Sequence, residues 1–202
     1  MNKRDYDQLL RIKTVNLGVR LDQSFHYNHY EATSYPTLHT LFQEYKLDKT
    51  DGFVDFGSGK GRILFYVHNL FHASVTGIEM NEQLYKTSLK NQTTYMKKVK
   101  SRKNPIRIEC CLAQDYEIKE TENKFYFFNP FSVQIFMKVV GNILRSVEKT
   151  GRDVDIILYY PTKEYIQYLE VSTPFELMQE VRIPGLYTIN DNERFVIFRF
   201  EG

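Results

Sequence analysis

Tryptophan is absent from this 202-residue sequence, and cysteine occurs only twice, as the neighbours Cys110 and Cys111. Adjacent cysteines cannot connect distant parts of a chain, so neither a disulfide framework nor an oxidising compartment is indicated. Long hydrophobic runs are also missing, because none exceeds five residues, as in Ile63–Val67, whereas a membrane-spanning helix needs about 20. The first residues contain no apolar signal segment. We therefore expect a cytoplasmic protein without a membrane partner.

An excess of charge of either sign is lacking as well, because 27 basic and 25 acidic residues leave a formal net charge of +2. That value is too small to indicate a nucleic-acid partner by itself. One basic run, in positions 97–103, lies at the end of a predicted helix. It comprises Lys97, Lys98, Lys100, Arg102 and Lys103. This run is either a solvated helix end, where cations complement the dipole, or a phosphate-binding patch for RNA or DNA.

The pattern of apolar residues divides the chain at about position 50. Residues 1–50 predict an α-helical lead-in, with a polar and aromatic loop at about 25–37. Residues 51–202 predict a domain in which strands alternate with helices, which favours βαβ units and a parallel sheet. The strands are predicted at 53–56, 74–79, 106–112, 124–128 and 155–160. The end differs, because two strands at 175–183 and 194–200 are joined by a loop without room for a helix.

The sharpest motif is Asp55-Phe56-Gly57-Ser58-Gly59-Lys60-Gly61-Arg62, directly after a predicted strand and directly before a predicted helix. Glycines allow a tight turn and a close ligand approach, and the helix start offers free N–H donors. A P-loop is excluded because glycine follows Lys60, and the dinucleotide fingerprint is excluded because Arg62 occupies the place of its third glycine. The alternative is a tight turn that binds nothing.

A second acid follows the next strand, in Gly77-Ile78-Glu79-Met80, 22 positions after Gly57. A ribose-binding acid is typical at about 20 residues after such glycines, because a carboxylate accepts hydrogen bonds from both ribose hydroxyls. Met80 would then pack on the adenine face. The alternative for Glu79 is an exposed acid favoured by the start of a helix.

The glycine loop, the Gly77-Ile78-Glu79 segment and Asn129-Pro130-Phe131 after the fourth strand together resemble class I (Rossmann-like) S-adenosylmethionine-dependent methyltransferases of the small bacterial type. The glycine loop and the aromatic lead-in are also similar to those of the non-SET histone-lysine methyltransferases. The resemblance implies an α/β three-layer sandwich. Its seven-stranded sheet is mostly parallel and is closed by a C-terminal antiparallel hairpin. It also implies S-adenosyl-L-methionine as the cofactor, covered by the lead-in at 1–50.

The same resemblance implies a role for each motif residue. Asp55 helps to hold the amino-acid part of the cofactor, and Asp115 or Gln114 accepts from the adenine amino group. An ordinary loop acid is the alternative for Asp115. The implied cofactor contacts are Tyr30, Thr33, Thr37, Asp55, Gly57, Ser58, Gly59, Gly61, Glu79, Met80, Gln114, Asp115 and Asn129.

The implied catalytic residues are Asn129, Pro130 and Phe131, in the position of methyltransferase motif IV. The asparagine side chain and the proline carbonyl accept N–H bonds from the target, and the aromatic ring stacks on it. Only one proline separates Asn129 from Phe131, so the segment departs from the tetrapeptide of amino-group methyltransferases. A proline-stiffened turn is the alternative interpretation.

We therefore expect transfer of a methyl group to an unidentified acceptor. The expected acceptor atom is a nitrogen of a protein side chain, a nucleic-acid base or a small molecule. A non-catalytic S-adenosylmethionine-binding module or partner subunit is the alternative, and a nicotinamide oxidoreductase is a third. No metal is expected, because His26 and His29 have no third ligand.

Overall fold

The computed structural model describes residues 3–15, 31–99 and 104–202. Several sequence-predicted residues lie outside this part of the chain, namely Tyr30, His26, His29, Lys100, Arg102 and Lys103. Among the described helices, none combines the length and the apolar composition that crossing a membrane requires.

The described residues form six α-helices and seven strands. The helices are α1 Lys3–Leu10, α2 Tyr35–Glu44, α3 Arg62–Phe71, α4 Glu82–Met96, α5 Val133–Thr150 and α6 Lys163–Ser172. The strands are β1 Gly52–Phe56, β2 Ser74–Ile78, β3 Ile106–Glu109, β4 Lys124–Phe128, β5 Val154–Tyr159, β6 Glu176–Arg182 and β7 Arg194–Phe200.

The strands join in one sheet in the order β3-β2-β1-β4-β5-β7-β6. Strands β1 to β5 pair in parallel, whereas β7 runs antiparallel to both β5 and β6. The order in which successive strands join the sheet reverses between β1 and β4, so the carboxyl ends of these parallel strands leave a crevice, the usual ligand site of an open α/β sheet. The sheet confirms the predicted mostly parallel arrangement with a closing hairpin.

Two hydrophobic clusters cover the two faces of the sheet. One joins the helices α1 to α4 to alternating strand residues such as Phe53 and Tyr126. The other joins α5 and α6 to the intervening positions, such as Val54 and Phe127. Alternation along each strand therefore feeds both layers, which confirms the predicted three-layer sandwich.

Side-chain oxygens define where several helices begin. Ser34 accepts a hydrogen bond from the Thr37 N–H at the start of α2, where Pro36 lies in the first turn. Asn81 accepts from two backbone N–H groups at the start of α4, as its position in the sequence predicts. Such caps satisfy donors that have no partner within the helix.

Three sequence predictions are wrong in detail. Strand β3 ends at Glu109 instead of Leu112, because its partner Ile78 is the last residue of β2 and this edge strand has no other neighbour. The apolar pattern also groups Leu9 with Leu10 on one helix face and Leu70 with Val67 on another, which predicts burial, but Leu9 and Leu70 are 43% and 49% exposed. In the last turn of α3, Phe71 instead packs edge-on against Phe42, at 5.1 Å between ring centroids.

Candidate functional site

The loop between β1 and α3 is shaped by glycines in the left-handed backbone region. Gly57, Gly59 and Gly61 have φ angles of 84°, 55° and 83°. Two of them also lack space for a side chain, because a Cβ on Gly61 would lie 2.6 Å from the Ser88 Oγ and one on Gly57 would lie 2.8 Å from the Pro130 Cβ. The turn therefore requires glycine for both its backbone angles and its close contacts.

The N–H groups of this loop are used inside the protein. Those of Gly57 and Ser58 both donate to the Ile78 carbonyl, at 2.9 and 3.0 Å, and that of Gly61 donates to the Ser58 carbonyl at 2.8 Å. The Gly59 N–H donates to Glu79 Oε2 at 2.8 Å. The expectation of free N–H donors is therefore wrong for these four residues, and the loop offers a ligand its shape and the exposed backbone of Gly57.

Glu79 ties the glycine loop to the end of β2. Its second oxygen, Oε1, accepts the Asn81 N–H at 2.8 Å. Burial raises the pKa of this carboxyl, although hydrogen bonds from the N–H groups of Asn81, Gly59 and Met80 oppose that rise. A carboxylate has about four acceptor sites, so these backbone contacts leave capacity for a ligand hydroxyl. The structure thus adds an anchoring role to the predicted ribose contact.

Asp55 is the second buried acid of the site. It lies in β1 beside Gly77 of β2 and Tyr126 of β4. Complete burial raises its pKa well above the ordinary value, and the nearby charge of Glu79 raises it further. Within the described residues, no hydrogen bond or cation compensates this carboxyl. A cationic ligand group would supply the compensation, as the predicted contact with the cofactor ammonium requires.

The turn after β4 brings the predicted motif IV next to the glycine loop. Asn129 has a φ of 38°, a left-handed conformation that asparagine tolerates better than most residues. Pro130 follows and contacts Gly57. Phe131 is 3% exposed and packs in the core edge-on against Phe127, at 6.1 Å between centroids. The ring of Phe131 is therefore not available for the predicted stacking on an acceptor.

The remaining predicted contacts lie along the same edge in different environments. Met80 is 40% exposed after β2, where its side chain is accessible to an adenine face. Asp115 is exposed in the short 3-10 turn Ala113–Asp115, and Gln114 beside it is half-buried. The Gln114 carbonyl accepts a hydrogen bond from the Asn142 side chain at 2.8 Å. The buried Ser58 hydroxyl lies in the space left by the missing Cβ of Gly77, against β2.

The lead-in contributes two buried threonines to this region. The Thr33 hydroxyl is 2.7 Å from the hydroxyl of Tyr126, which neighbours Asp55 across the strands. The Thr37 hydroxyl is 2.7 Å from that of Ser34 in the first turn of α2. Both threonines thus lie between the lead-in and the sheet, whereas Tyr30 lies outside the described residues.

Sequence reasoning missed the network that fixes the lead-in on the glycine loop. Arg62, the first residue of α3, donates to the Thr14 hydroxyl at 2.7 Å and to the Thr33 carbonyl at 3.1 Å. Its guanidinium lies 4.9 Å from the ring centroid of Tyr35. Asp7 accepts from both the Thr14 and the Tyr35 hydroxyls. The one signal in the sequence is that Arg62 stands at the start of a helix, where the helix dipole disfavours a positive charge.

An aromatic wall, Phe128, Tyr159 and Tyr160, was also missed. It stands where β4 and β5 end, next to Asn129. The rings of Phe128 and Tyr159 are 4.6 Å apart, and those of Phe128 and Tyr160 are 6.5 Å apart. Tyr160 repeats the backbone of Asn129, with a φ of 51°. Each of these two neighbouring strands is therefore followed by a residue in the left-handed backbone region.

The described part of the basic run lies away from these groups. Lys97 is the C-cap of α4, and the Lys98 ammonium donates to the Leu9 carbonyl at 2.6 Å. Lys98 thus has a structural contact, and the interaction of the run with nucleic acid stays a prediction.

The sheet order, the glycine loop and the acids at the ends of β1 and β2 together define the class of this protein. It is a class I S-adenosylmethionine-dependent methyltransferase with a Rossmann-like fold. A sequence model of the family described as histone methylation protein DOT1 matches residues 12–125, and the chain belongs to that family.

Solved structures share the fold. An rRNA methylase from Streptococcus thermophilus superposes with a TM-score of 0.56 at 15% identity, over 81% of this chain and 94% of that one. An S-adenosylmethionine-dependent methyltransferase from Thiobacillus denitrificans, in complex with S-adenosyl-L-homocysteine, gives 0.54 at 13% identity, over 82% and 90%. M. capricolum TrmK with S-adenosylhomocysteine gives 0.54 at 11% identity, over 84% and 68%. No curated protein matches the sequence.

Proposed function

We propose that this protein binds S-adenosylmethionine in the crevice between β1 and β4 and methylates a side-chain amine of a polypeptide. The observation that carries the proposal is the contact between Gly57 and Pro130. It joins the loop that shapes the cofactor site to the turn that borders the aromatic wall. Cofactor and acceptor would therefore share one crevice, as direct transfer requires.

The residues present fit the cofactor. The uncompensated carboxyl of Asp55 suits the ammonium group, Glu79 retains acceptor capacity for the ribose hydroxyls, and the accessible Met80 offers an apolar surface to adenine. When bound, S-adenosylmethionine supplies an electrophilic methyl group on a sulfonium. The chain itself contributes alignment of the two reactants and exclusion of water, which are large effects in bimolecular transfers.

An amine acceptor agrees with the surroundings of Asn129. A lysine ammonium must lose its proton before it can attack, and an aromatic wall lowers the pKa of an amine by removing it from water. Phe128 and Tyr160 are half-buried and can hold the aliphatic stem. The Asn129 side chain and the Pro130 carbonyl are the acceptors for the N–H groups of the neutral amine. The family description, histone methylation protein, also favours a polypeptide amine.

Cofactor binding and transfer need separate measurements. Calorimetry with S-adenosylmethionine and S-adenosylhomocysteine is expected to show binding of both, weakened at least tenfold in Gly59→Val and in Glu79→Ala. Unchanged affinity in both variants would contradict the site. Methyl-labelled cofactor is then incubated with lysine-containing synthetic peptides and with RNA oligomers. Label on the lysine amine supports the proposal, and label on RNA alone contradicts it.

The rival function is a non-catalytic module that binds the cofactor or pairs with a catalytic subunit. The single proline in Asn129-Pro130-Phe131 and the burial of Phe131 favour this alternative, because the full motif of amino-group enzymes is absent. Transfer of label into a fractionated extract of the source cells separates the two. Cofactor binding without any labelled product would support the rival.

A further inference from the structure

The connection between β6 and β7 is a stiff series of turns. The N–H groups of Leu186 and Tyr187 both donate to the Ile183 carbonyl, at 3.2 and 3.0 Å. Those of Ile189 and Asn190 both donate to the Leu186 carbonyl at 3.0 Å. These hydrogen bonds fix the backbone positions from which the side chains of the segment project.

Two large apolar side chains project from this segment into solvent. Leu186 is 44% exposed and Ile189 is 84% exposed. Their spacing of three residues on a helical turn places them on one side, and Asn190, four residues after Leu186, shares that side. We name Leu186 and Ile189 the apolar ridge. Single scattered apolar residues on a surface are ordinary, whereas a neighbouring pair on a hydrogen-bonded segment beside a site is a candidate binding surface.

The base of the segment is fastened to the aromatic wall. The Asn190 side-chain N–H donates to the Tyr160 hydroxyl at 2.6 Å, and the Tyr159 hydroxyl donates to Glu193 at 2.6 Å. The backbone N–H of Tyr160 donates to the Arg194 carbonyl at 3.2 Å. Since Asn190 shares a side with the apolar ridge, the ridge borders the place where the proposed acceptor amine enters.

Charge selects the kind of partner. Positions 183–193 contain no lysine or arginine, whereas Asp191 and Glu193 carry negative charge. The flanking Arg182 and Arg194 share Glu180, at 2.7 and 3.4 Å, and the Arg182 guanidinium lies 4.6 Å from the ring centroid of Tyr187. Positions 180–194 thus carry three acids and two bases, a net charge of −1. A segment with a net negative charge and two exposed apolar side chains favours a basic polypeptide that carries an apolar side chain over a phosphate backbone.

We propose that the apolar ridge is the docking surface for the polypeptide acceptor, which places an aliphatic side chain on Leu186 and Ile189 while its target residue enters beside Tyr160. The inference rests on the proposed amine methylation and deepens it, because it names a recognition feature of the substrate. Selectivity would then come from a residue near the target as well as from the target itself.

The test compares the double variant Leu186→Ser/Ile189→Ser with Val171→Ser, which changes a residue 76% exposed on α6. The probes are synthetic 15-residue peptides with one lysine and two arginines. The peptides are made in pairs that differ at one position, which lies two to six residues before or after the lysine. One peptide of each pair carries leucine at that position, and the other carries serine. Fluorescence anisotropy measures binding, and mass spectrometry measures methyl transfer. Burying one leucine on the ridge predicts about tenfold tighter binding of the best leucine peptide than of its serine partner.

The wild type and Val171→Ser should show this preference, and the double variant should lose it while its thermal unfolding stays unchanged. A preference that survives in the double variant, or no preference in the wild type at any spacing, would overturn the proposed docking role of the ridge. Ridge-dependent binding without methyl transfer in the wild type would leave the ridge standing and count against the proposed methylation. Equal methylation of all peptides by all variants would support the proposed methylation and overturn the role of the ridge.

Discussion

Glu79 accepts the Gly59 N–H at 2.8 Å, so the acid predicted to bind ribose also fixes the loop predicted to cradle the cofactor. The second oxygen holds the Asn81 N–H at the start of α4. One carboxylate therefore sets the distance between the two elements that flank the crevice. Ligand binding and loop geometry cannot be varied independently at this position.

Glu79→Gln is expected to lower both stability and cofactor affinity. The amide keeps one oxygen and directs its NH₂ group at a backbone donor, so one charge-assisted hydrogen bond is lost, which costs about 1.5–3 kcal/mol. Denaturant unfolding without ligand and calorimetry with S-adenosylhomocysteine measure the two effects. An unfolding free energy within 0.5 kcal/mol of the wild type, the usual scatter for surface changes, would contradict the anchoring role.

Gly57→Ala tests the contact between the loop and the turn after β4. Alanine would have to adopt the φ of 84° found at Gly57, and its Cβ would lie 2.8 Å from the Pro130 Cβ. The left-handed backbone costs about 1–2 kcal/mol and the overlap about 1–3 kcal/mol more. Gly185→Ala is the matched control, because its φ is 78° and no atom lies within 4 Å of its added Cβ.

The two alanine variants are compared by thermal and denaturant unfolding. Gly57→Ala should be the less stable by the cost of the overlap, and Pro130→Gly should reduce that difference in the double variant. Equal losses in the two single variants would show that Pro130 does not constrain the loop.

Asp55→Asn should stabilise the ligand-free protein and weaken the binding of the cofactor. Because the folded pKa of Asp55 lies above the unfolded value, its protonated form is favoured in the folded state. The contribution of Asp55 is therefore present below the unfolded pKa and lost as pH rises through the folded pKa. The amide has no charge to bury, so ligand-free Asp55→Asn should be more stable than the wild type near pH 7, by about 1 kcal/mol or more.

Ligand comparison identifies the partner of Asp55. S-adenosylmethionine and S-adenosylhomocysteine should bind about 10–100-fold more weakly to Asp55→Asn, since a hydrogen bond to a charged group contributes about 1.5–3 kcal/mol. Methylthioadenosine, which has no ammonium group, should bind both proteins equally. A parallel loss for all three ligands would place Asp55 away from the ammonium.

The sequence predicted the sheet and the glycine loop because both depend on local signals. Short apolar runs marked β1 to β5, and only glycine fits the backbone angles at Gly57 and Gly61. The Arg62 network could not be predicted, because its contacts join residues 29 to 48 positions apart. The burial of Phe131 could not be predicted for a related reason, because it depends on packing against Phe127 after a left-handed residue, Asn129, and residue types record neither feature.

Arg62→Lys tests the network without removing its charge. Lysine keeps the cation but cannot donate to the Thr14 hydroxyl and the Thr33 carbonyl through one planar group, and it stacks less well on Tyr35. We expect a loss of about 1–3 kcal/mol in unfolding free energy. Affinity for S-adenosylhomocysteine should fall as well, because Thr33 lies beside Tyr126 and the cofactor crevice. Lys86→Arg, at an exposed helix position, is the control.

His68 should make the protein sensitive to acid in a way that is separable from the carboxyls. Its ring is 3% exposed, and burial lowers its pKa although Nε2 donates to the Asn104 carbonyl at 3.1 Å. The neutral ring leaves Nδ1 to accept from the Tyr95 hydroxyl at 2.8 Å. The contribution of His68 is thus fully present above the unfolded pKa of 6.5 and is lost as pH falls through the folded value.

The acidic carboxyls of the site change stability in the opposite direction with pH, so the comparison must be made by difference. His68→Gln removes the titration but keeps a donor and an acceptor. The stability difference between wild type and His68→Gln should shrink as pH falls from 7 to 5, because only the wild type must exclude a proton from the buried ring. A difference that is constant over this range would mean that His68 titrates equally in the folded and the unfolded chain, and that its burial has no electrostatic cost.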